Sequence, residues 1–269
     1  MKDSGRGRKR GGFAGNSMCL VLIAYDVHPR YRLILAANRD EFYDRPTAAA
    51  ACWEDAPHLI AGRDLVHGGT WLGISRAGRF AALTNYREPH AASKDTPSRG
   101  KLVSDFLSSE TTVEDYLERL RGEGLAYHGY NLLLGDWDGL YCYSNKSDRA
   151  IRLTPGVHGL SNHLLDTPWP KVVRGRESLA RVVTAGDFAT EDLFAILADR
   201  TQVPDEQLPD TGIGLEKERL LSSIFITTPR YGTRSSTVLL IDSARQATFV
   251  ERSFNGSEPR DVAICFEIP

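Results

Sequence analysis

Strand-like and helix-like segments come in blocks along this chain: strands, a helical pair, strands, a second helical pair, then strands to the end. That order limits the fold more than any other feature, because it lacks the strict alternation that builds a parallel doubly wound sheet. Short turns signal antiparallel hairpins instead. His28-Pro29-Arg30 separates strands expected over Cys19–Tyr25 and Arg32–Ala37, and Ala77-Gly78 separates Thr70–Ser75 from Arg79–Asn85. Asp136-Trp137-Asp138-Gly139 does the same for Asn131–Gly135 and Leu140–Ser144. Such connections are too short for a parallel crossover.

Further strands are expected at Ile151–Leu153, Val157–Leu160, Ser223–Thr227, Ser236–Ile241, Ala247–Ser253 and Asp261–Phe266. Helical periodicity covers Arg99–Leu107, Val113–Leu120, Lys171–Val183 and about Glu191–Ala198, with residues 202–218 read as loop. The second helix opens on a Thr111-Thr112-Val113-Glu114 capping pattern and should stop before Gly122, and Thr190 is the expected cap of the fourth. The expectation is an α+β fold: two antiparallel sheets between helical layers, a four-layer αββα sandwich. Residues 18–269 show no repeat, heptad or Pro/Ser linker and read as one domain.

Residues 1–17 differ in character. They are Gly-rich, carry a formal +4 against −6 for the rest, lack apolar periodicity and read as a disordered basic extension. They do not form a secretory signal, since no apolar region precedes a cleavage site. An Arg-rich organelle-targeting role stays open, and the preferred reading is a translation start at Met18. No run of 18 apolar residues exists, so no transmembrane helix is expected and the expected location is cytoplasmic. The main body has no basic excess to suggest a nucleic-acid partner.

Four cysteines, Cys19, Cys52, Cys142 and Cys265, are too widely spaced for a zinc ribbon, a redox pair or a haem-attachment motif. No histidine pair has metal-ligand spacing; His67 and His163 read as loop residues, and no metal or cofactor site is expected. P-loop, GxGxxG, HExxH and GxSxG motifs are all absent.

Cys19 stands out because it follows Met18 at the start of an apolar strand. If Met18 initiates and is removed, Cys19 carries a thiol nucleophile and a terminal amine base on one residue. An α-amine titrates near 7.7–8.0, close to working pH. A cysteine in an apolar strand also fits as a small buried hydrophobe. Polar clusters sit at several expected strand ends: Asn38-Arg39-Asp40-Glu41, Thr84-Asn85, Ser161-Asn162 and Gly232-Thr233-Arg234. The charges after Ala37 either mark a strand ending at the surface or are paired in a functional cleft.

Six stretches carry a family resemblance: Ala37-Asn38-Arg39-Asp40-Glu41, Gly68-Gly69-Thr70-Trp71-Leu72-Gly73, Leu83-Thr84-Asn85-Tyr86, Gly159-Leu160-Ser161-Asn162, Pro168-Trp169-Pro170-Lys171 and Tyr231-Gly232-Thr233-Arg234-Ser235-Ser236. In this order they resemble the NRDE family, which includes the transport and Golgi organisation protein 2 group. Family members typically begin at Met-Cys, so the 17-residue extension is a departure. The resemblance implies the αββα fold of N-terminal nucleophile (Ntn) hydrolases. A more distant likeness to their cysteine branch, the penicillin V acylases and bile-salt hydrolases, implies roles by motif position. Cys19 would be the nucleophile, with Arg39 favouring thiolate and Asp40 orienting the α-ammonium. Asn85 and Asn162 would face the oxyanion, and Arg234 would line the site. Asn38, Glu41, Trp71 and Tyr86 would contact substrate.

Two functions follow from the resemblance. One is a cysteine hydrolase acting on an amide or acyl bond, in which iodoacetamide should label Cys19 before the other cysteines. The other is a non-catalytic carrier, because the family is tied to haem mobilisation and to lipid or acyl-CoA homeostasis. There, a pocket lined by Trp71, Tyr86 and Arg234 would hold an apolar anion, with haem as cargo rather than cofactor.

Overall fold

A computed structural model describes residues 19–88, 96–256 and 258–269. The expected disordered extension, residues 1–17, lies outside the described residues.

Two antiparallel sheets face each other. The first has strand order β10-β1-β2-β11-β12-β13 and the second runs from β3 to β9 in sequence order. In the first, β1 is Leu20–Tyr25, β2 Tyr31–Phe42, β10 Gly156–Leu160, β11 Tyr231–Asp242, β12 Gln246–Ser253 and β13 Arg260–Glu267. The second holds β3 Thr47–Cys52, β4 Leu59–Asp64, β5 Leu72–Ser75, β6 Phe80–Asn85, β7 Tyr130–Gly135, β8 Leu140–Ser144 and β9 Arg149–Arg152. Helices α1 (Gly100–Ser108) and α2 (Val113–Glu123) cover the second sheet. The first is covered by α3 (Pro170–Ala185) and α4 (Thr190–Leu197), and a short α5 spans Leu215–Leu221.

Side-chain alternation assigns each layer. In β1, Val21, Ile23 and Tyr25 enter the core between the sheets, while Leu20, Leu22 and Ala24 meet α3 and α4. Both faces are buried, which is why the strand reads as an unbroken apolar run. Likewise Leu33, Leu35 and Ala37 of β2 face the other sheet, and Ile34 and Ala36 face the helices. The layer order αββα is the one expected.

Several element boundaries differ from expectation. β2 does not end at Ala37 but continues through Asn38–Glu41, because β11 starts at Tyr231 rather than Ser236 and pairs with it all the way to Phe42. A bulge between Thr233 and Ser235 leaves Arg234 outside the ladder with β2. Strands β3 and β4 were not legible: Thr47–Cys52 is almost all alanine and gains its strand form only from pairing with β4. The end of the stretch 202–218, read as loop, is helical: α5 begins at Leu215 and runs to Leu221. Ser223–Thr227 is not a strand; one isolated bridge joins Thr227 to Gly232, and the Asn38 amide takes the Ile224 carbonyl instead. α2 is capped by Thr112, whose Oγ1 accepts from the Asp115 N–H at 3.1 Å, but it runs past Gly122 to Glu123. Thr190 is the first helical residue rather than the cap; the Ala189 N–H donates to Asp192 Oδ2 at 2.8 Å.

Candidate active site

The polar ends of β1, β2 and β6 meet the start of α1 around a cavity of about 400 Å³. Cys19, Arg39, Glu41, Trp71, Asn85 and Arg99 are among its lining residues. Leu20 pairs with Asn38 in the β1–β2 ladder, and continuing that register sets Cys19 opposite Arg39. Odd-numbered residues of both strands face the second sheet, so Cys19, Arg39 and Glu41 share one face.

Charges at the cavity wall form a chain. Arg39 lies over the Trp71 ring, its guanidinium carbon 4.1 Å from the centroid, and its Nη2 is 3.9 Å from Glu41 Oε2. Glu41 is also 3.7 Å from Arg45 Nε, and Arg45 is bidentate on Asp64 at 3.2 and 2.8 Å. The Trp71 ring sits where Gly62 leaves space; a Cβ there would be 2.4 Å from the ring. Gly69 and Gly100 allow the turn before β5 to touch the start of α1, since a Cβ on Gly69 would be 2.5 Å from the Gly100 backbone. That contact brings Arg99 to the rim, where its Nη1 donates to the Gly129 carbonyl at 2.9 Å.

With its N-terminal neighbours attached, Cys19 is a poor nucleophile. Burial pushes its thiol up to about 12, with the Asp40 charge adding to the effect; the Asp40 backbone N–H and the Arg39 cation pull the other way more weakly. Asp40 lies on the opposite face of β2, toward the helices. Its Oδ1 accepts from Thr233 Oγ1 at 2.6 Å. Burial raises its carboxyl to about 7 despite Lys171, Thr233 and Arg39.

Of the residues singled out in sequence, Cys19, Arg39, Glu41, Trp71 and Asn85 line the cavity. Among the described residues the Asn85 side chain makes no hydrogen bond, which leaves its amide available to a ligand. The others do not line it. Asn38 faces the helical layer, donating to the Leu197 and Ile224 carbonyls at 2.8 and 2.9 Å and accepting from Ser236 Oγ at 2.6 Å. Asn162 Nδ2 donates to the Asn85 carbonyl at 2.8 Å, tying the ends of β10 and β6 together. Arg234, squeezed out by the bulge, donates to the carbonyls of Phe42 and Arg45 and to Asn255 Oδ1. Tyr86 stacks with His163, ring centroids 5.0 Å apart. The expected pocket of Trp71, Tyr86 and Arg234 therefore keeps only Trp71.

Arg45, Asp64, Arg99, His67 and His128 line the cavity without having been foreseen as site residues. Asp64 could have been found from its place just before the Gly68-Gly69 turn; Arg99 gave no signal beyond opening a helix. Among the described residues no three His, Cys, Asp or Glu side chains are grouped to hold a metal ion.

The sheet order and the helical layers define an Ntn-hydrolase-like fold. The fold resembles that of the Caenorhabditis elegans N-acylethanolamine-hydrolyzing acid amidase ortholog, with a TM-score of 0.51 at 11% identity over 82% of this chain and 92% of that one. Penicillin V acylase from Agrobacterium tumefaciens superposes with a TM-score of 0.49 at 15% identity, over 92% and 85% of the two chains. By sequence the chain belongs to the Transport and Golgi organisation 2 family, whose model matches residues 18–256. The Bos taurus transport and Golgi organization protein 2 homolog is 40% identical over 263 residues, 90% of this chain and 95% of that protein. The Homo sapiens homolog is 39% identical over 257 residues, covering 88% and 93%. The Drosophila melanogaster protein is 30% identical over 277 residues, covering 90% and 94%.

Proposed function

We propose that this chain, when it begins at Cys19, hydrolyses an amide or acyl bond of a small substrate. The observation that carries this reading is the placement of Cys19 on the cavity wall with Arg39 and the uncommitted Asn85 amide. The family match from residue 18 supports Met18 as the start. Removal of Met18 would free the α-amine of Cys19 as a base.

The chemistry then follows from these groups. The α-amine takes the thiol proton and Sγ attacks the substrate carbonyl carbon. The carbonyl oxygen becomes an oxyanion that Asn85 Nδ2 can meet with a hydrogen bond. As the tetrahedral centre collapses, the leaving nitrogen, oxygen or sulfur receives the proton held by the α-ammonium, and a thioester remains on Cys19. Water, deprotonated by the same amine, attacks the thioester; the acid departs and the thiol is restored. Arg39, laid over Trp71, can pair with an anionic group on the substrate.

The test is a panel of N-acyl amides and acyl thioesters incubated with the chain beginning at Cys19 and with its Cys19→Ala variant. Turnover lost in the variant is the expected result. No turnover with any member, or equal turnover in both, overturns the reading.

A carrier reading is favoured by a different observation: Arg39, Arg45 and Arg99 line the cavity beside two carboxylates, Glu41 and Asp64, an excess of one positive charge, and His67 and His128 add imidazoles. A flat apolar anion such as haem could lie on Trp71 with its carboxylates on these arginines. Haem titration tests this: a Soret shift that survives Cys19→Ala supports carriage, and no shift removes haem as cargo.

A further inference from the structure

Glu251 of β12 is a buried carboxyl that the chemistry above leaves without a task. It is 1% exposed, and strand alternation turns it, like Ala247 and Phe249, toward the second sheet. A carboxyl in that position is costly unless its oxygens are answered. One of them is: Oε1 accepts from the Ala50 N–H at 2.8 Å. Ala50 stands in the register shift between Ala48 and Ala51, where β3 slips against β4. The other oxygen, Oε2, has no hydrogen-bond partner among the described residues.

Oε2 meets the edge of Trp71 instead. Gly62 of β4 marks the spot: a Cβ there would run into Cη2 and Cζ2 of the indole, the second at 2.5 Å, and would stand 3.2 Å from Glu251 Oε2. An aromatic ring is negative over its faces and positive along its edge. Arg39 lies over the face, 4.1 Å from the centroid, and Glu251 stands at the edge, so each charge meets the part of the ring with the opposite sign. Both side chains reach across from the first sheet to β3. Arg39 Nη1 donates to Thr47 Oγ1 at 3.2 Å, and Glu251 takes the Ala50 amide. Trp71 is held between them, with no side chain at Gly62 to push it out.

We propose that Glu251 is a positioning residue, whose carboxyl wedges the Trp71 ring against Arg39 and so fixes the wall on which a ligand of the cavity lies. The ligand's place on that wall rests on the function proposed above, in either of its two forms. Trp71 and Arg39 line the cavity, and Glu251 stands behind them, so it acts through the ring. Burial pushes its carboxyl up, while the Ala50 amide and the Arg39 cation pull it down. The wedge therefore joins three strands that are distant in sequence: β12 supplies the carboxyl, β4 the gap and β2 the cation.

The test is NMR of the full chain, reading the upfield ring-current shift of the Arg39 δ protons and their Overhauser contacts with the Trp71 ring. In Glu251→Ala the shift should fall to less than half. Glu251→Gln keeps the length of the side chain and an acceptor for the Ala50 amide, and should restore it. Trp137, held between Arg32 and Arg245 in the β7–β8 turn, serves as the control and should not change in either variant. An Arg39 signal unmoved in Glu251→Ala overturns the proposal, as does one that Glu251→Gln fails to restore or a loss that Trp137 shares. Should Glu251→Ala not fold, Gly62→Ala presses on the same spot: the Trp71 indole and Ala50 amide signals should move together, and an unmoved Ala50 amide overturns the proposal. None of these readings needs a substrate. If they hold while no acyl compound is turned over and haem gives no Soret shift, the wedge stands and the proposed function fails; if turnover is found and they do not hold, the reverse is true.

Discussion

The Ser161 hydroxyl donates a 3.0 Å hydrogen bond to the carbonyl of Cys19, and the neighbouring Asn162 amide reaches the Asn85 carbonyl at 2.8 Å. One dipeptide thus sets the nucleophile candidate of one sheet against the amide candidate of the other. Ser161→Ala removes the first link, and a loss of about 1 kcal/mol is expected. A lower urea midpoint at unchanged slope would register it.

Thiol labelling should depend on what precedes Cys19. In the full chain Cys52 and Cys265 are exposed, whereas Cys19 and Cys142 are buried with thiols pushed up to about 12. Iodoacetamide at pH 7.5 should therefore modify Cys52 and Cys265 first, the reverse of the order anticipated for an active nucleophile. In the chain beginning at Cys19, the new α-ammonium lowers the thiol, and Cys19 labelling should accelerate while Cys142 does not. Peptide mass spectrometry of timed samples distinguishes the four sites.

Gly62→Ala tests the seat of Trp71. The added methyl would stand 2.4 Å from the indole, so the ring and the Arg39 guanidinium over it must move. Overpacking of this kind costs about 1–3 kcal/mol. Thermal unfolding should show the loss.

The buried Arg87–Glu218 pair, 2.6 Å apart, joins α5 to the chain after β6, and Arg87 also lies 4.3 Å over Trp169. Glu218→Gln leaves a guanidinium buried without its counter-charge and should cost about 3–5 kcal/mol. The double replacement Arg87→Met, Glu218→Leu should cost much less than the sum of Arg87→Met alone and Glu218→Leu alone, as urea unfolding of the parent, these two single variants and the double variant would reveal.

The Asp40–Lys171 pair should leave a mark on stability against pH. The Asp40 carboxyl is raised from 3.8 to about 7, so its contribution is fully present below about pH 4 and is lost as pH rises through 7. Lys171 is lowered from 10.5 to about 8, so its contribution is present above about pH 10.5 and is lost as pH falls through 8. Both work against the fold most between pH 7 and 8. The double variant Asp40→Asn, Lys171→Met should be more stable than the parent there by about 1–4 kcal/mol, with a smaller gain on either side. Unfolding midpoints from pH 5 to 10 measure this.

Hairpin turns and apolar runs made most of the two-sheet, four-layer architecture legible, because strand periodicity and turn chemistry are local. β3 was not, since an alanine run acquires strand form only beside β4. Of the site, the motif order pointed to Cys19, Arg39, Trp71 and Asn85, which do meet at the cavity. Asn38 and Arg39 show why motif membership was insufficient. They are adjacent in one motif, but strand alternation sends Asn38 to the helices and Arg39 to the cavity.

The residue chemistry of the strand ends, the cysteine after Met18 and the block order of elements were determined by the sequence alone. What the tertiary structure decided was direction and partnership. The bulge turned Arg234 toward the Phe42 and Arg45 carbonyls, and the α1 contact brought Arg99 to the rim. Packing of α3 on the first sheet brought Lys171 into the field of Asp40, 131 positions earlier in the chain. A side chain's task depends on which face of its element it leaves and what is packed there, and distant segments set both.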